Sequence, residues 1–137
     1  MQKNRIAFAG ALGIKPEQVV GGMQVHGTNI ALVTKADGGK GFLSANTALP
    51  DTDGLVTNER GIALMTLYAD CVPVLFYDPY VQVIAVCHCG WRGTVNRMAA
   101  KTTMLFSTQM RKELFSKTLH LSARNTDKFT IPSLEAR

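Results

Sequence analysis

The sequence predicts an α/β (α+β) fold, a mixed β-sheet flanked by helices, on three observations. Six short β-rich runs stand out at residues 19–25, 29–34, 54–57, 62–68, 74–77 and 81–87. Turn chemistry separates them: Ala36-Asp37-Gly38-Gly39, Asp51-Thr52-Asp53-Gly54, Asn58-Glu59-Arg60-Gly61 and Asp78-Pro79. After the last run come a glycine turn and then Thr94, a plausible N-cap, with Val95, Met98, Ala99, Thr102, Leu105 and Phe106 at helical spacing.

Each element has its own warrant. Lys3 and Arg5 ahead of a short apolar run ending at Ile14 have the outline of a secretory signal, but the cleavage site is poorly defined and an amphipathic helix is the preferred reading. Between the second and third runs, Gly38-Gly39-Lys40-Gly41 lacks the spacing and the Ser/Thr of a phosphate loop, so a mobile hairpin loop is expected. Asp53 should cap its Asp-Gly turn. The last three runs are dense in Val, Leu, Ile and Ala with little alternation, which predicts strands covered on both faces. Residues 119–137 are polar, lack periodicity and should be loosely ordered.

At 137 residues and 46% apolar content the chain can build one domain with a real core. No run approaches the roughly 18 consecutive apolar residues of a membrane helix, so a soluble protein without a membrane partner is expected. Three cysteines, two of them at i, i+2, are unlike a secreted disulfide framework, and a reducing cytoplasm fits best. Residues 1–90 hold six Lys/Arg against seven Asp/Glu, and residues 91–137 hold nine against three. These basic residues are scattered and have few aromatic neighbours, so a solvated helix face is preferred over a nucleic-acid partner.

The chemistry concentrates in residues 86–94, VCHCGWRGT. If the strand persists to Cys89, Val83, Ala85, Cys87 and Cys89 share one face, while Gln82, Ile84, Val86 and His88 share the other. One ion cannot then be gripped by all of Cys87, His88 and Cys89, and the two thiols read as small core residues. Partners for His88 must come from distant sequence: His26, Cys71 or His120. His26 and Cys71 both fall at the ends of predicted strands. A His, a Cys and a His make a three-ligand zinc set with one position open, as catalytic zinc requires. No short ligand pair nucleates such a site, so a hydrogen-bonded structural histidine remains open as the alternative.

Four stretches go further: QVHGTNI (24–30), TDGLVT (52–57), ALMTLYADCVPVLFYD (63–78) and VCHCGWRGT (86–94). In this order they resemble the laccase-domain family, once called multicopper polyphenol oxidases and now described as zinc-dependent purine nucleoside phosphorylases that also deaminate adenosine. The resemblance runs from about residue 4 to about residue 101. It implies a partial version of the laccase-domain fold over residues 1–106, a divergent basic tail at 107–137, and metal ligands at His26, Cys71 and His88. Cys89 departs from the small residue usual at its position. Family members are nearly twice this length, so the chain reads as truncated at both ends, a fragment or degenerate relative whose turnover is in question.

The resemblance implies a purine nucleoside and phosphate as partners, with adenosine, inosine and methylthioadenosine as candidate substrates. Zinc on two imidazoles and a thiolate activates a bound water, the chemistry deamination at C6 needs. Phosphorolysis needs an anion held beside the ribose C1′. Arg92, expected just ahead of a helix N-terminus, is the candidate to grip it. Trp91 either stacks on the purine or plugs the turn as a core aromatic. Asp70, next to a proposed ligand, either orients that ligand and accepts a proton or is a surface turn carboxylate. Gln24 is expected on the strand face of His26, lining the pocket. Three alternatives remain. A copper-bound laccase-like oxidase would use the same ligands, although three ligands cannot hold several coppers. A metal-free hydrolase would use Cys71 as nucleophile. The third is an inactive zinc-binding remnant.

Overall fold

A computed structural model describes the backbone of residues 2–124 and the side chains of all of these except residue 110 and residues 113–124. The expected mixed sheet flanked by helices forms, divided in two. A strand overlaps each of the six runs: β1 (Val19–Gly21), β2 (Ile30–Leu32), β3 (Gly54–Thr57), β4 (Ala63–Met65), β5 (Val72–Asp78) and β6 (Val83–Cys89), with β5 and β6 extending beyond theirs. Strands β2, β3, β6 and β5 lie side by side in that order, with β2–β3 parallel and the other two pairings antiparallel. Strands β1 and β4 form a separate parallel pair.

β1 and β4 are shorter than their apolar runs because the chain is used differently beyond them. Gly22 crosses so close to Thr52 that a Cβ would overlap the Thr52 carbonyl oxygen. Past it, the Gln24 side chain takes both main-chain groups of Leu67, donating to its oxygen at 2.8 Å and accepting from its nitrogen at 2.7 Å. A side chain thus satisfies backbone that a longer strand would have paired.

The four-stranded sheet separates two apolar layers. On one face, helix α3 (Met98–Arg124) covers it, with Phe106 against Val56, Val83 and Ala85, and Met98 against Cys87 and Cys89. On the other face Val33, Leu55 and Val86 meet Val20 of β1 and Leu64 of β4. β6 therefore alternates as the sequence predicts and is buried on both sides. β5 is not. Val74 and Phe76 pack toward α3, but Leu75 and Tyr77 on the opposite face are 76% and 71% exposed. An apolar run carries no information on whether a layer lies above it. Pro73, which has no N–H to give a second neighbour, suits this edge position. Asp78 closes the β5–β6 hairpin by accepting N–H bonds from Tyr80 and Val81.

Two further expectations are corrected. Because β2 and β3 run parallel, residues 33–53 form a crossover and not a hairpin loop; Gly39 is buried, and Gly41 and Phe42 are buried beside it. Thr94 is not the N-cap. A one-turn helix α2 (Trp91–Val95) starts after Gly90, and within it the Thr94 hydroxyl donates back to the Gly90 carbonyl. Arg97, at φ 63°, breaks the chain before α3 begins. The break lets Met98 drop onto Gly54, whose absent Cβ would stand 2.6 Å from Met98 Cε. The N-terminal stretch is helical, as α1 (Gln2–Ala11), and sets Ala9 against Val19 and Phe42. Of the tail expected at 107–137, residues through Arg124 continue α3, and residues 125–137 lie outside the described residues.

Among the described residues, no helix is long and apolar enough to cross a membrane.

Candidate metal centre

Three separate segments end at one point: the loop after β1, the bend before β5, and the C-terminal end of β6. They carry His26, Cys71 and His88, whose donor atoms lie within 4.8 Å of one another. These are the three residues singled out in the sequence. His88 is almost fully buried, and its Nδ1 is 2.8 Å from Asp53 Oδ1. That contact leaves Nε2 as its free ring nitrogen. The His26 ring stands edge-on to it, with centroids 4.8 Å apart and planes at 74°. His120 falls among the residues whose side chains are not described.

The sequence assigns Asp53 to a turn cap, but its carboxylate is spent elsewhere. Fully buried, it accepts N–H bonds from Val25 at 3.1 Å, His26 at 3.0 Å and Gly27 at 2.9 Å, besides the contact with His88. Burial alone would push its carboxyl up; the His88 bond and the three backbone donors outweigh that and hold it below the ordinary carboxylate range. Three consecutive N–H groups can converge on one anion only if the backbone twists, and His26 supplies the twist at φ 59°. A non-glycine residue there costs about 1–3 kcal/mol. Hydrogen bonds to a charged acceptor, worth about 1.5–3 kcal/mol each, offset it. No local pattern marks Asp53 for this work, since its partners lie 26 or more positions away.

Cys87 and Cys89 are on the other face of β6, with sulfurs 3.6 Å apart and packed on Met98. Burial pushes the Cys87 thiol up to about 12, so it stays protonated at neutral pH and is a poor ligand. Tyr68 tilts over His88 at 5.6 Å between centroids, and its hydroxyl is 2.6 Å from that of Thr66. Burial raises its pKa as well.

Gly90 makes room for the cluster. A Cβ there would lie 2.8 Å from His26 Cδ2 and 3.4 Å from Cys71 Sγ, although the backbone (φ −68°, ψ 167°) suits any residue. Gly90→Ala should therefore push the His26 ring aside and weaken the affinity for any metal ion held by the three side chains about tenfold or more, with little change in melting temperature. Chelator competition and a thermal melt would check both halves.

Two clefts open on the cluster and share His26, Asp70 and Cys71. The first, about 420 Å³, is walled by Gln24, Leu67 and Tyr68 and reaches His88. The second, about 640 Å³, is walled by Val72, Trp91 and Val95. Gln24 thus lines a cleft, though from a loop and not from a strand. Trp91 is 72% exposed, which removes the core-plug reading. Asp70 is exposed and borders both clefts. Arg92 lies inside α2, not ahead of a long helix; its guanidinium is 5.4 Å from the Trp91 ring centroid, and it lines neither cleft.

The sequence profile of the family described as multi-copper polyphenol oxidoreductase laccase matches residues 1–121. The chain belongs to this family. Among curated relatives, the purine nucleoside phosphorylase YlmD of Geobacillus stearothermophilus is 41% identical over 106 residues, covering 77% of this chain and 39% of the relative. The adenosine deaminase RL5, from an unknown prokaryotic organism, is 35% identical over 95 residues, covering 69% of this chain and 36% of that one. The crystal structure of the Geobacillus YlmD superposes with a TM-score of 0.78 at 39% identity, over 80% of this chain and 41% of that one. The matched part of the chain thus spans about two-fifths of the length of these relatives.

Proposed function

We propose that the protein acts as a zinc-dependent purine nucleoside phosphorylase that also deaminates adenosine, with zinc held by His26, Cys71 and His88. The observation that supports this reading is the convergence of two imidazoles and a thiol, from three distant segments, between two clefts. The donor set fits zinc: His26, Cys71 and His88 would supply two nitrogens and one sulfur, a set that zinc accepts while still taking a water or substrate oxygen. Copper would accept the same donors. Among the described residues, however, there is one such group, and oxygen reduction to water uses several coppers. When bound, zinc would supply Lewis-acid activation of water or of a substrate oxygen.

The remaining work falls to the chain's own side chains. Trp91, exposed at the lip of the larger cleft, offers its ring face to a purine. Arg92 lines neither cleft, but its guanidinium is 5.4 Å from the ring centroid of Trp91, which does line the larger one; from there it is proposed to reach in and grip phosphate with two N–H groups. In phosphorolysis the C1′–N9 bond breaks, a C1′–O bond to phosphate forms, and the departing purine takes up a proton. Asp70, on the wall of both clefts, is the proposed proton carrier. Three free cysteines fit a reducing cytoplasm, where we place the protein.

The test is direct. Zinc-loaded protein given inosine should release hypoxanthine only when phosphate is present, and given adenosine it should release ammonia without phosphate. Bound zinc with neither product would reduce the assignment to a metal-binding module. Bound copper with phenol oxidation would replace it.

A further inference from the structure

We propose that Asp53 is the positioning residue of the metal centre: one buried carboxylate sets the ring tautomer of His88 and the loop conformation that presents His26. The inference deepens the zinc reading above and rests on it for its metal half only.

Donors and acceptors decide the tautomer. Asp53 Oδ2 faces the Val25 and Gly27 N–H groups, and Oδ1 faces the His26 N–H. A backbone N–H can only donate, so both oxygens act as acceptors and the carboxylate has no proton to offer. Its fourth neighbour, His88 Nδ1 at 2.8 Å from Oδ1, must therefore carry the hydrogen; a lone pair there would face another lone pair. The neutral ring then keeps its lone pair on Nε2, the nitrogen left for His26 and Cys71 to join around an ion. The Asp53 main chain reinforces the pairing, since its carbonyl accepts the His88 N–H at 2.8 Å. His26 is tied to the same carboxylate through its own N–H and those of both neighbours, so the two histidines share one anchor although 62 positions of sequence separate them. Fully buried, Asp53 meets no solvent that could compete for these bonds.

Asp53→Asn separates positioning from mere filling of space. The amide would keep its oxygen for the Val25 and Gly27 donors and turn its NH₂ toward His88 and the His26 N–H, so the His26 bond is lost and His88 has to accept at Nδ1 and carry its proton on Nε2. Long-range nitrogen–proton NMR of the metal-free protein, in the neutral-imidazole range, reads this without metal or turnover. Wild-type His88 should show Nδ1–H, and His88 of the variant should show Nε2–H. Zinc affinity, measured by chelator competition, should fall roughly 10- to 100-fold in the variant. A wild-type His88 protonated on Nε2 overturns the proposal even if the variant fails to fold, and so does a folded variant that binds zinc within about twofold of wild type. Nδ1–H in a wild-type protein that binds no zinc would uphold the tautomer assignment and sink the metal reading instead.

Discussion

Cys71→Ala should lose tight zinc binding while the chain remains folded. The thiol stands just before β5, half-buried, and Cys71 belongs to none of the apolar clusters that hold the sheet together. Removing it leaves two imidazoles, too few to hold zinc firmly in water. The loss should exceed the roughly 100-fold seen when only a supporting partner of a ligand is removed, and with cobalt in place of zinc the sulfur-to-metal absorption band should vanish. Cys87→Ala is the matched control. Its sulfur is on the far face of β6 and held protonated by burial, so zinc affinity should not change, whereas stability should drop by about 1 kcal/mol for the lost core volume. Equal losses in the two variants would mean that the cluster is not a metal site.

Met98→Ala should be the most damaging single change to the fold, at about 2–5 kcal/mol in chemical denaturation. Met98 is fully buried, with its methyl group over Gly54, and packs in one cluster with Cys87 and Cys89. It joins the first residue of α3 to the middle of the sheet. Truncation would open a cavity that the neighbouring strands cannot close, because β3 and β6 are fixed by their ladder. His88 is on the opposite face of β6, and His26 and Cys71 come from loops outside the cluster that Met98 packs in, so the zinc affinity of the folded fraction should be nearly unchanged. A loss below about 1 kcal/mol would show that α3 can settle into the gap.

The candidate ligands are legible in the sequence for a simple reason. Side chains that bind metal are chemically few, and His26, Cys71 and His88 each stand at the edge of an apolar run, where a strand gives out. Strand alternation also places Cys87 and Cys89 away from His88 without reference to the rest of the fold, because that periodicity is a property of the backbone alone. Asp53 is illegible. An aspartate before a glycine reads as a turn, and nothing nearby announces that its oxygens will meet the N–H groups of residues 25–27 and the ring of residue 88.

The same division runs through the fold. Local chemistry determined that six strands exist, where the turns between them lie, that a helix follows the last strand, and which residue types are able to hold a metal. Tertiary structure decided what depends on neighbours far along the chain. It cut β1 and β4 short by giving Leu67's backbone to Gln24, left the outer face of β5 open, made residues 33–53 a crossover, and moved the helix start from Thr94 to Gly90. Pattern and propensity act over a few residues. Layers, edges and buried charges are settled only when segments tens of positions apart exclude water from one another.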